Sequence, residues 1–154
     1  MIPITISGLT SAGSTTVSKK LCEVYGFKYF HHSIRDKTTD DDFKKSVEES
    51  LKGCNAVIDY KQAVLLFDTV PSISIYLDVP IEIRAQRLMA SKCSFNYDIG
   101  CMLSQFDHEE IQYGKFFYGK DFSSQDLYKF NVSSMELNIL DIINKVSLIV
   151  ARNL

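Results

Sequence analysis

The stretch ITISGLTSAGSTTVSKKL, residues 4–21, decides the fold. A short apolar run rich in β-branched residues enters a turn that holds Gly8 and Gly13, and an amphipathic segment follows. This order predicts a strand, a loop and a helix. The two glycines and Thr15 match the phosphate-binding pattern G-x-x-x-x-G-K-[ST], but Ser14 stands at the lysine position.

Such a loop binds phosphate mainly through its backbone. Successive N–H groups point toward the anion, and the following helix adds the positive end of its dipole. Ser14 removes a positive charge that would follow the transferring phosphoryl group, so we expect turnover to suffer more than binding. A glycine turn can also join any strand to any helix, but the hydroxyl groups of Ser14, Thr15 and Thr16 favour a phosphate site.

Length and composition limit the class of protein. With 154 residues, 45% of them hydrophobic, residues 1–154 are expected to form one globular domain. The formal net charge of -2 provides no global field for nucleic acid or an acidic membrane. No apolar run approaches the roughly 20 residues that cross a bilayer. Four widely spaced cysteines and the lack of a signal peptide predict reduced thiols and a cytoplasmic location.

The rest of the chain alternates between strand and helix patterns. Strands are predicted at residues 2–7, 27–31, 55–60, 72–79 and 128–133. Helices are predicted to end near residues 25 and 52 and to occupy residues 80–91, 98–114 and 135–152. In the last helix one buried face is expected from Leu137, Leu140, Ile143, Val146 and Ile149. Alternation of this kind predicts a parallel sheet with helices on both faces and a ligand site at the carboxyl ends of its strands.

Several segments resemble archaeal-type cytidylate kinases in the same order along the chain. Residues 4–29 are similar to the start of those proteins, whose loop commonly reads G-x-x-G-S-G-T-T-T and also lacks the lysine. Later matches are NAVID, SIYLDVPIEIRAQRL and QYGKFFYGKDFSSQDLYKFNVSS. The resemblance implies an α/β, three-layer P-loop kinase fold with a five-stranded parallel sheet in the order 2-3-1-4-5 and a reduced acceptor arm and lid.

The resemblance also implies where substrates bind. These kinases transfer the γ-phosphoryl group of ATP to CMP. ATP and magnesium would lie at Gly8, Ser11, Gly13, Ser14, Thr15 and Thr16, with Thr15 as the magnesium ligand. Asp59 and Lys61 stand where the family has the acid and the arginine of E-G-R, and they would face the acceptor. No cluster of metal-binding residues is indicated, because His108 and its acidic neighbours on one helix do not converge on a point.

Two parts of the chain depart from the family. The acceptor arm within residues 31–55 has room for little more than one helix, and the lid has Gln105 and Gln112 where the family has arginines. Arginine contacts to a transferring phosphoryl group contribute on the order of 10³ to 10⁵ in rate. Arg84 and Arg87 are retained, but their spacing on a helix fits a solvated or ion-paired surface at least as well as phosphate contact.

Two functions fit these departures. The first is a degenerate kinase homologue that keeps nucleotide binding and serves as an interaction module for a protein or ribonucleoprotein partner. The second is an active small cytidylate kinase acting on CMP or dCMP. We favour the first, because the losses lie in separate parts of the chain. Aromatic residues between 116 and 130 are predicted to be mostly core, with a partner surface as the alternative, and at most one of His31 and His32 is expected to line the nucleotide cleft.

Overall fold

The structure, a computed structural model, describes residues 1–91, 98–135 and 138–154. Its strands are β1 Pro3–Gly8, β2 Lys28–His31, β3 Ala56–Asp59, β4 Ile73–Asp78 and β5 Phe130–Ser133. All neighbouring strands pair in parallel, in the order β2-β3-β1-β4-β5. The predicted strand order is confirmed. Strand β1 is central, with Ile4 opposite Val57 on one side and Ile73 on the other.

The helices connect the strands as parallel pairing requires. They are α1 Ser14–Tyr25, α2 Asp40–Leu51, α3 Ala63–Leu66, α4 Ile81–Ser91, α5 Ile99–Tyr118 and α6 Leu140–Asn153, with a 3₁₀ turn at Gln125–Leu127. Helix α3 and the 3₁₀ turn were not expected from the sequence. In the described ranges no helix combines the length and the apolar character needed to cross a membrane.

The sheet separates two hydrophobic layers. On one face Ile4 and Ile6 of β1 pack with Val17 of α1 and Val146 of α6. On the other face Ile58 of β3 packs with side chains of α2 and α3, among them Phe43, Val47, Ala63 and Leu66. Side chains alternate between the two faces of a strand, so Thr5 and Ser7 of β1 lie on the side opposite to Ile4 and Ile6. The result is a helix, sheet and helix sandwich.

Helix α6 buries part of the predicted stripe. Val146 is fully buried and Ile143 and Ile149 pack partly buried against the core, whereas Leu140 is 57% exposed, and the other core residues are Ile142 and Val150. Each residue of an α-helix turns by about 100°, so the five predicted positions at spacings of three drift by about 240°, roughly two thirds of the way around the helix. Steps of four drift less and stay on one face. Leu137, which was expected on the buried face, lies outside the described residues.

Helix α5 continues past its predicted end at Gly114. A Cβ at Gly114 would lie 2.6 Å from Oε1 of Gln62 and 2.9 Å from the carbonyl oxygen of Lys120. The glycine therefore serves close packing inside the helix. The helix ends instead at Gly119, whose φ of 69° and N–H bond to the carbonyl of Lys115 form a left-handed cap.

Candidate functional site

The loop between β1 and α1 has a strained backbone that only certain residues permit. Gly13 has φ 102° and Ser11 has φ 65°. A Cβ at Gly13 would lie 2.3 Å from Cδ1 of Ile139, so the Ile139 side chain packs directly against the backbone of the loop.

A cleft of about 680 Å³ opens at this loop. It is lined by Ser11, Gly13, Ser14, Thr15, Thr16, Lys61, Arg87, Leu88, Asn138 and Ile139, among others. The structure thus brings together all of the loop residues predicted to hold ATP except Gly8, which ends β1 behind them. The volume is in the range of small-molecule sites. Phosphate contact was one of the alternatives left open for Arg87, whereas Asn138 and Ile139 were not predicted here, since they come from a distant part of the chain.

Thr15 and Asp59 meet at the floor of the site. The Thr15 hydroxyl donates to Oδ2 of Asp59 at 2.7 Å, and Asp59 is 4% exposed. The same oxygen accepts from the Tyr29 hydroxyl at 2.8 Å and lies 3.1 Å from Nδ1 of His31. Burial and the Asp59 charge raise the pKa of Tyr29, which keeps its proton on the phenol. A hydroxyl beside a carboxylate is the donor pair with which phosphate loops hold magnesium.

A second, smaller cleft of about 150 Å³ adjoins the loop on the acceptor side. Asp59 and Lys61 both line it, and Lys61 lines the first cleft as well. His31 and His32 also line it together, but neither lines the first cleft, which agrees with the prediction that at most one of them lines the nucleotide cleft. Both reach the second cleft because strand β2 ends at His31, and the alternation of sides that separates strand neighbours does not extend to His32.

Acids of α5 neutralise the arginine of the second cleft. Nη2 of Arg35 lies 2.5 Å from Oε2 of Glu109, and Nη1 lies 3.9 Å from Glu110. The Arg35 guanidinium also lies over the ring of Phe106, at 5.3 Å from its centre. Glu110 is 4% exposed, and its backbone carbonyl accepts from Nε2 of Gln62 at 2.7 Å. Arg35 is thus committed to α5, and the buried acid disfavours a second anion.

A carboxylate at the start of α2 gathers four donors from other elements. Asp40 accepts from the hydroxyl of Tyr60 at 2.9 Å, from that of Tyr113 at 3.1 Å and from that of Tyr118. Nε2 of His32 lies 3.0 Å from its Oδ1. Burial, with the Asp40 charge, raises the pKa of Tyr60 and of Tyr118. We call these five residues the Asp40 network. It joins the arm helix α2 to the end of β3 and, twice, to α5.

The arginines of α4 hold the loop. Arg84 is 4% exposed, pairs with Asp107 at 2.9 Å and donates to the carbonyl of Thr10 at 3.0 Å. Arg84 is ion-paired, as one of the two alternatives from the sequence predicted, but its side chain is buried and does not lie on the surface. Arg87 donates to the carbonyl of Ala12 at 2.9 Å and faces the first cleft. Burial lowers the pKa of Arg87.

The two lid glutamines lie apart from both clefts. Gln105 and Gln112 are exposed on α5, and Nε2 of Gln105 lies 3.4 Å from Glu109. His108 is exposed on the same helix. Within the described ranges no group of three or more histidine, cysteine or acidic residues is arranged to hold a metal ion.

Comparison with known sequences points to one enzyme class. No family model matches the chain. A cytidylate kinase of Pyrococcus furiosus is 33% identical over 106 residues, which cover 55% of this chain and 55% of that protein. A cytidylate kinase of Thermococcus sibiricus is 23% identical over 157 residues, which cover 86% of this chain and 79% of the relative. The better-matching region thus spans about half the length of the first relative.

Comparison with solved structures concerns the fold. A crystal structure of a protein from Eubacterium ventriosum matches with a TM-score of 0.80 at 16% identity, covering 96% of this chain and 97% of that one. Shikimate kinase from Bacteroides thetaiotaomicron matches with a TM-score of 0.60 at 12% identity, covering 97% and 98%. Together, the sequence similarity and the parallel sheet order identify a cytidylate-kinase-like protein with the P-loop kinase fold.

Proposed function

We propose that this protein binds a nucleoside triphosphate with magnesium in the first cleft, transfers phosphate slowly or not at all, and acts in the cytoplasm as an interaction module for a protein or ribonucleoprotein partner. One contrast carries the proposal. The Thr15–Asp59 pair and the glycine turn of the phosphate loop would still bind a nucleotide, whereas the Asp40 network and the Arg35–Glu109 pair join the acceptor arm to α5.

The residues of the first cleft fit a triphosphate and its metal. Backbone N–H groups of Ser11, Gly13, Ser14 and Thr15 at the N-terminus of α1 would hold the phosphate oxygens, whereas the N–H of Ala12 donates to the carbonyl of Leu9 at 3.0 Å. Thr15 and Asp59 would hold magnesium, which neutralises phosphate charge when it is bound. Arg84 and Arg87 fix the loop through carbonyl groups, so its N–H groups remain directed at the ligand without reorganisation.

Among the residues that the structure describes, cations for the transfer step are scarce. Ser14 replaces the loop lysine, the side chains at Gln105 and Gln112 are neutral and line neither cleft, and Arg35 is paired with Glu109. Losing arginine contacts of this kind costs on the order of 10³ to 10⁵ in rate. The chain would therefore retain binding while losing most transition-state stabilisation.

A second candidate, an active cytidylate kinase acting on CMP or dCMP, has one observation in its favour. Lys61 lines both clefts, at the boundary that a transferring phosphoryl group would cross. An ammonium group there can neutralise charge on the phosphoryl oxygens, although as a point charge it lacks the fork of an arginine. The similarity to archaeal cytidylate kinases also supports this alternative.

Calorimetry with ATP tests the binding half of the proposal. We expect the native chain to bind ATP in the presence of magnesium and Thr15→Ala to weaken that binding by roughly 10- to 100-fold, as loss of metal-site residues does. Thr69→Ala, an exposed threonine outside both clefts, is the matched control and should leave the affinity unchanged. Absence of ATP binding by the native chain would contradict this half.

Phosphoryl transfer to CMP, UMP and dCMP tests the other half. Kinases commonly turn over at about 1–100 s⁻¹. We expect rates far below that range with every acceptor, under conditions in which calorimetry shows ATP bound. Turnover within the range would establish the second candidate instead, and Lys61→Ala should then abolish it.

A further inference from the structure

A third cleft lies between the acceptor arm and the last turns of α5. Its volume is about 450 Å³. One wall is aromatic, with Tyr113, Phe117 and Tyr118. The opposite wall is acidic, with Asp36, Asp40 and Asp41, and Lys37 is the one cation among its lining residues. It shares His32 with the second cleft but contains no residue of the phosphate loop.

The aromatic wall continues onto the open surface of α5. Phe117 is 60% exposed and Phe116 is 81% exposed. Their rings meet edge to face with centres 4.9 Å apart, and the ring of Tyr113 lies 4.5 Å from that of Phe117. Two adjacent exposed phenylalanines beside a cleft are typical of an interaction surface.

The acidic wall retains unused charge. Asp40 is saturated by its network, and Oδ2 of Asp36 accepts from the backbone N–H of Ser33 at 2.9 Å and lies 3.3 Å from Nδ1 of His32, which leaves Oδ1 of Asp36 for a ligand. Within the described residues the Asp41 carboxylate makes no hydrogen bond or ion pair, and it lies close enough to raise the pKa of Tyr118. A cation entering the cleft would find a free carboxylate beside aromatic rings.

An aromatic ring beside a carboxylate occurs a second time on α5, and there it binds an arginine of this chain. Near the middle of α5 the guanidinium of Arg35 lies over Phe106 and pairs with Glu109. Phe117 is eleven residues further along the helix, which is about three turns, so it lies on the same side as Phe106. The first aromatic and acidic combination is filled by an arginine of this chain, and the second is open.

We propose that the third cleft binds an arginine side chain of a partner protein, with the guanidinium over Phe117 and its N–H groups directed at Asp41 and Asp36. Arginine fits better than lysine, because its planar group stacks on rings and pairs with carboxylates at the same time. RNA is disfavoured, since the acidic wall repels phosphate. The inference deepens the partner-binding part of the proposed function and rests on that part alone.

Fluorescence anisotropy with a labelled peptide, Gly-Ser-Arg-Gly-Arg-Ser-Gly, tests the inference. Its counterpart with citrulline in place of arginine has the same shape without the charge. We expect binding of the arginine peptide only. Phe117→Ala should weaken it about three- to thirtyfold, the range of a cation–π contact. Asp41→Asn should weaken it as well, and Leu148→Ala, which removes an exposed leucine from α6, should leave it unchanged.

Three results would overturn the inference. They are no binding of the arginine peptide up to millimolar protein, equal binding of the citrulline peptide, or an affinity that Phe117→Ala does not change. Binding of oligouridylate that is lost in Phe117→Ala would assign the face to RNA and overturn it too. ATP binding and CMP phosphorylation, measured on the same variants, report on the proposed function separately, because Phe117 and Asp41 lie outside the first two clefts.

Discussion

Gly13 illustrates at the scale of one residue how the loop is specified. Its φ of 102° is costly for any residue with a Cβ, and a Cβ there would also collide with Ile139 at 2.3 Å. The second constraint is tertiary, since Ile139 lies just before α6. One glycine thus satisfies both the turn of the phosphate loop and the packing of the terminal helix against it.

Replacing Gly13 by alanine should therefore cost more than a left-handed backbone alone. We expect Gly13→Ala to lower the free energy of unfolding by about 2 kcal/mol or more and to abolish ATP binding. Gly26→Ala is the control, since Gly26 has φ 68° and nothing within 4 Å of a Cβ. It should cost only about 1–2 kcal/mol and spare ATP binding. Urea unfolding and calorimetry measure both effects, and equal losses in the two variants would refute the collision.

Local patterns were sufficient for the loop but not for the residues around it. Gly13, Ser14 and Thr15 follow one another, so spacing alone could place them together. The donors to Asp40 come from positions 20, 73 and 78 residues away, and no periodicity links them. Sequence patterns therefore did not predict the Asp40 network. They left both a surface role and phosphate contact open for Arg84, and its buried ion pair was not predicted, because its partner Asp107 lies on another helix.

At the scale of elements, the acceptor arm is attached to α5 by side chains. Helix α2 begins with Asp40, whose side chain is 13% exposed and accepts from two tyrosines of α5. The loop before α2 adds Arg35, which pairs with Glu109. Opening the acceptor side would break charge-assisted hydrogen bonds that are shielded from water. Movement of the arm relative to α5 is thus restrained.

Asp40→Ala should release this attachment. The phenols of Tyr60, Tyr113 and Tyr118 would lose a charged acceptor, so we expect a loss of about 2–4 kcal/mol in the free energy of unfolding. Backbone amides of α2 and α5 should exchange hydrogen faster. Asp42→Ala, also in the first turn of α2 but exposed, should cost only about 0.3–1 kcal/mol. If both variants behaved alike, the network would contribute nothing beyond the helix dipole.

Element boundaries show where sequence patterns stop being informative. The end of α5 was predicted at Gly114, but the close approach of Gln62 explains that glycine, and the helix continues. The predicted buried stripe of α6 included Leu140, which is 57% exposed, although Val146 of the same stripe is fully buried. In both cases the composition was interpreted correctly as helical. Contacts with distant residues set the limits and the face.

At the scale of the whole molecule, buried tyrosines make stability depend on alkaline pH. Burial raises the pKa of Tyr60, Tyr118 and Tyr128, and it raises that of Tyr76 to about 12. A phenol with a raised pKa holds its proton more tightly in the folded state than in the unfolded chain. The resulting stabilisation is complete below the unfolded value of about 10. It is lost as the pH rises from there through the folded values.

We therefore expect the urea midpoint to stay level from neutral pH to about 9 and to fall steeply above about 10. Absorbance at the phenolate band should rise together with unfolding, since the buried phenols ionise only when exposed. Tyr60→Phe removes one of these groups and should make the alkaline fall shallower. A midpoint that stays constant past the ionisation of free tyrosine would contradict the assignment.

The central position of β1 shapes how the chain is made. Its neighbours in the sheet are β3, which begins at Ala56, and β4, which begins at Ile73. Neither neighbour is the next strand to be synthesised after β1, because β2 comes first. On the ribosome, Ile4 and Ile6 emerge early and wait for several seconds, at translation rates of about 5–20 residues per second, before either edge can be covered. A nascent chain would thus expose an unpaired apolar strand to which chaperones of the ribosome can bind. Slower translation just after β4 would give β1 time to pair with both of its neighbours.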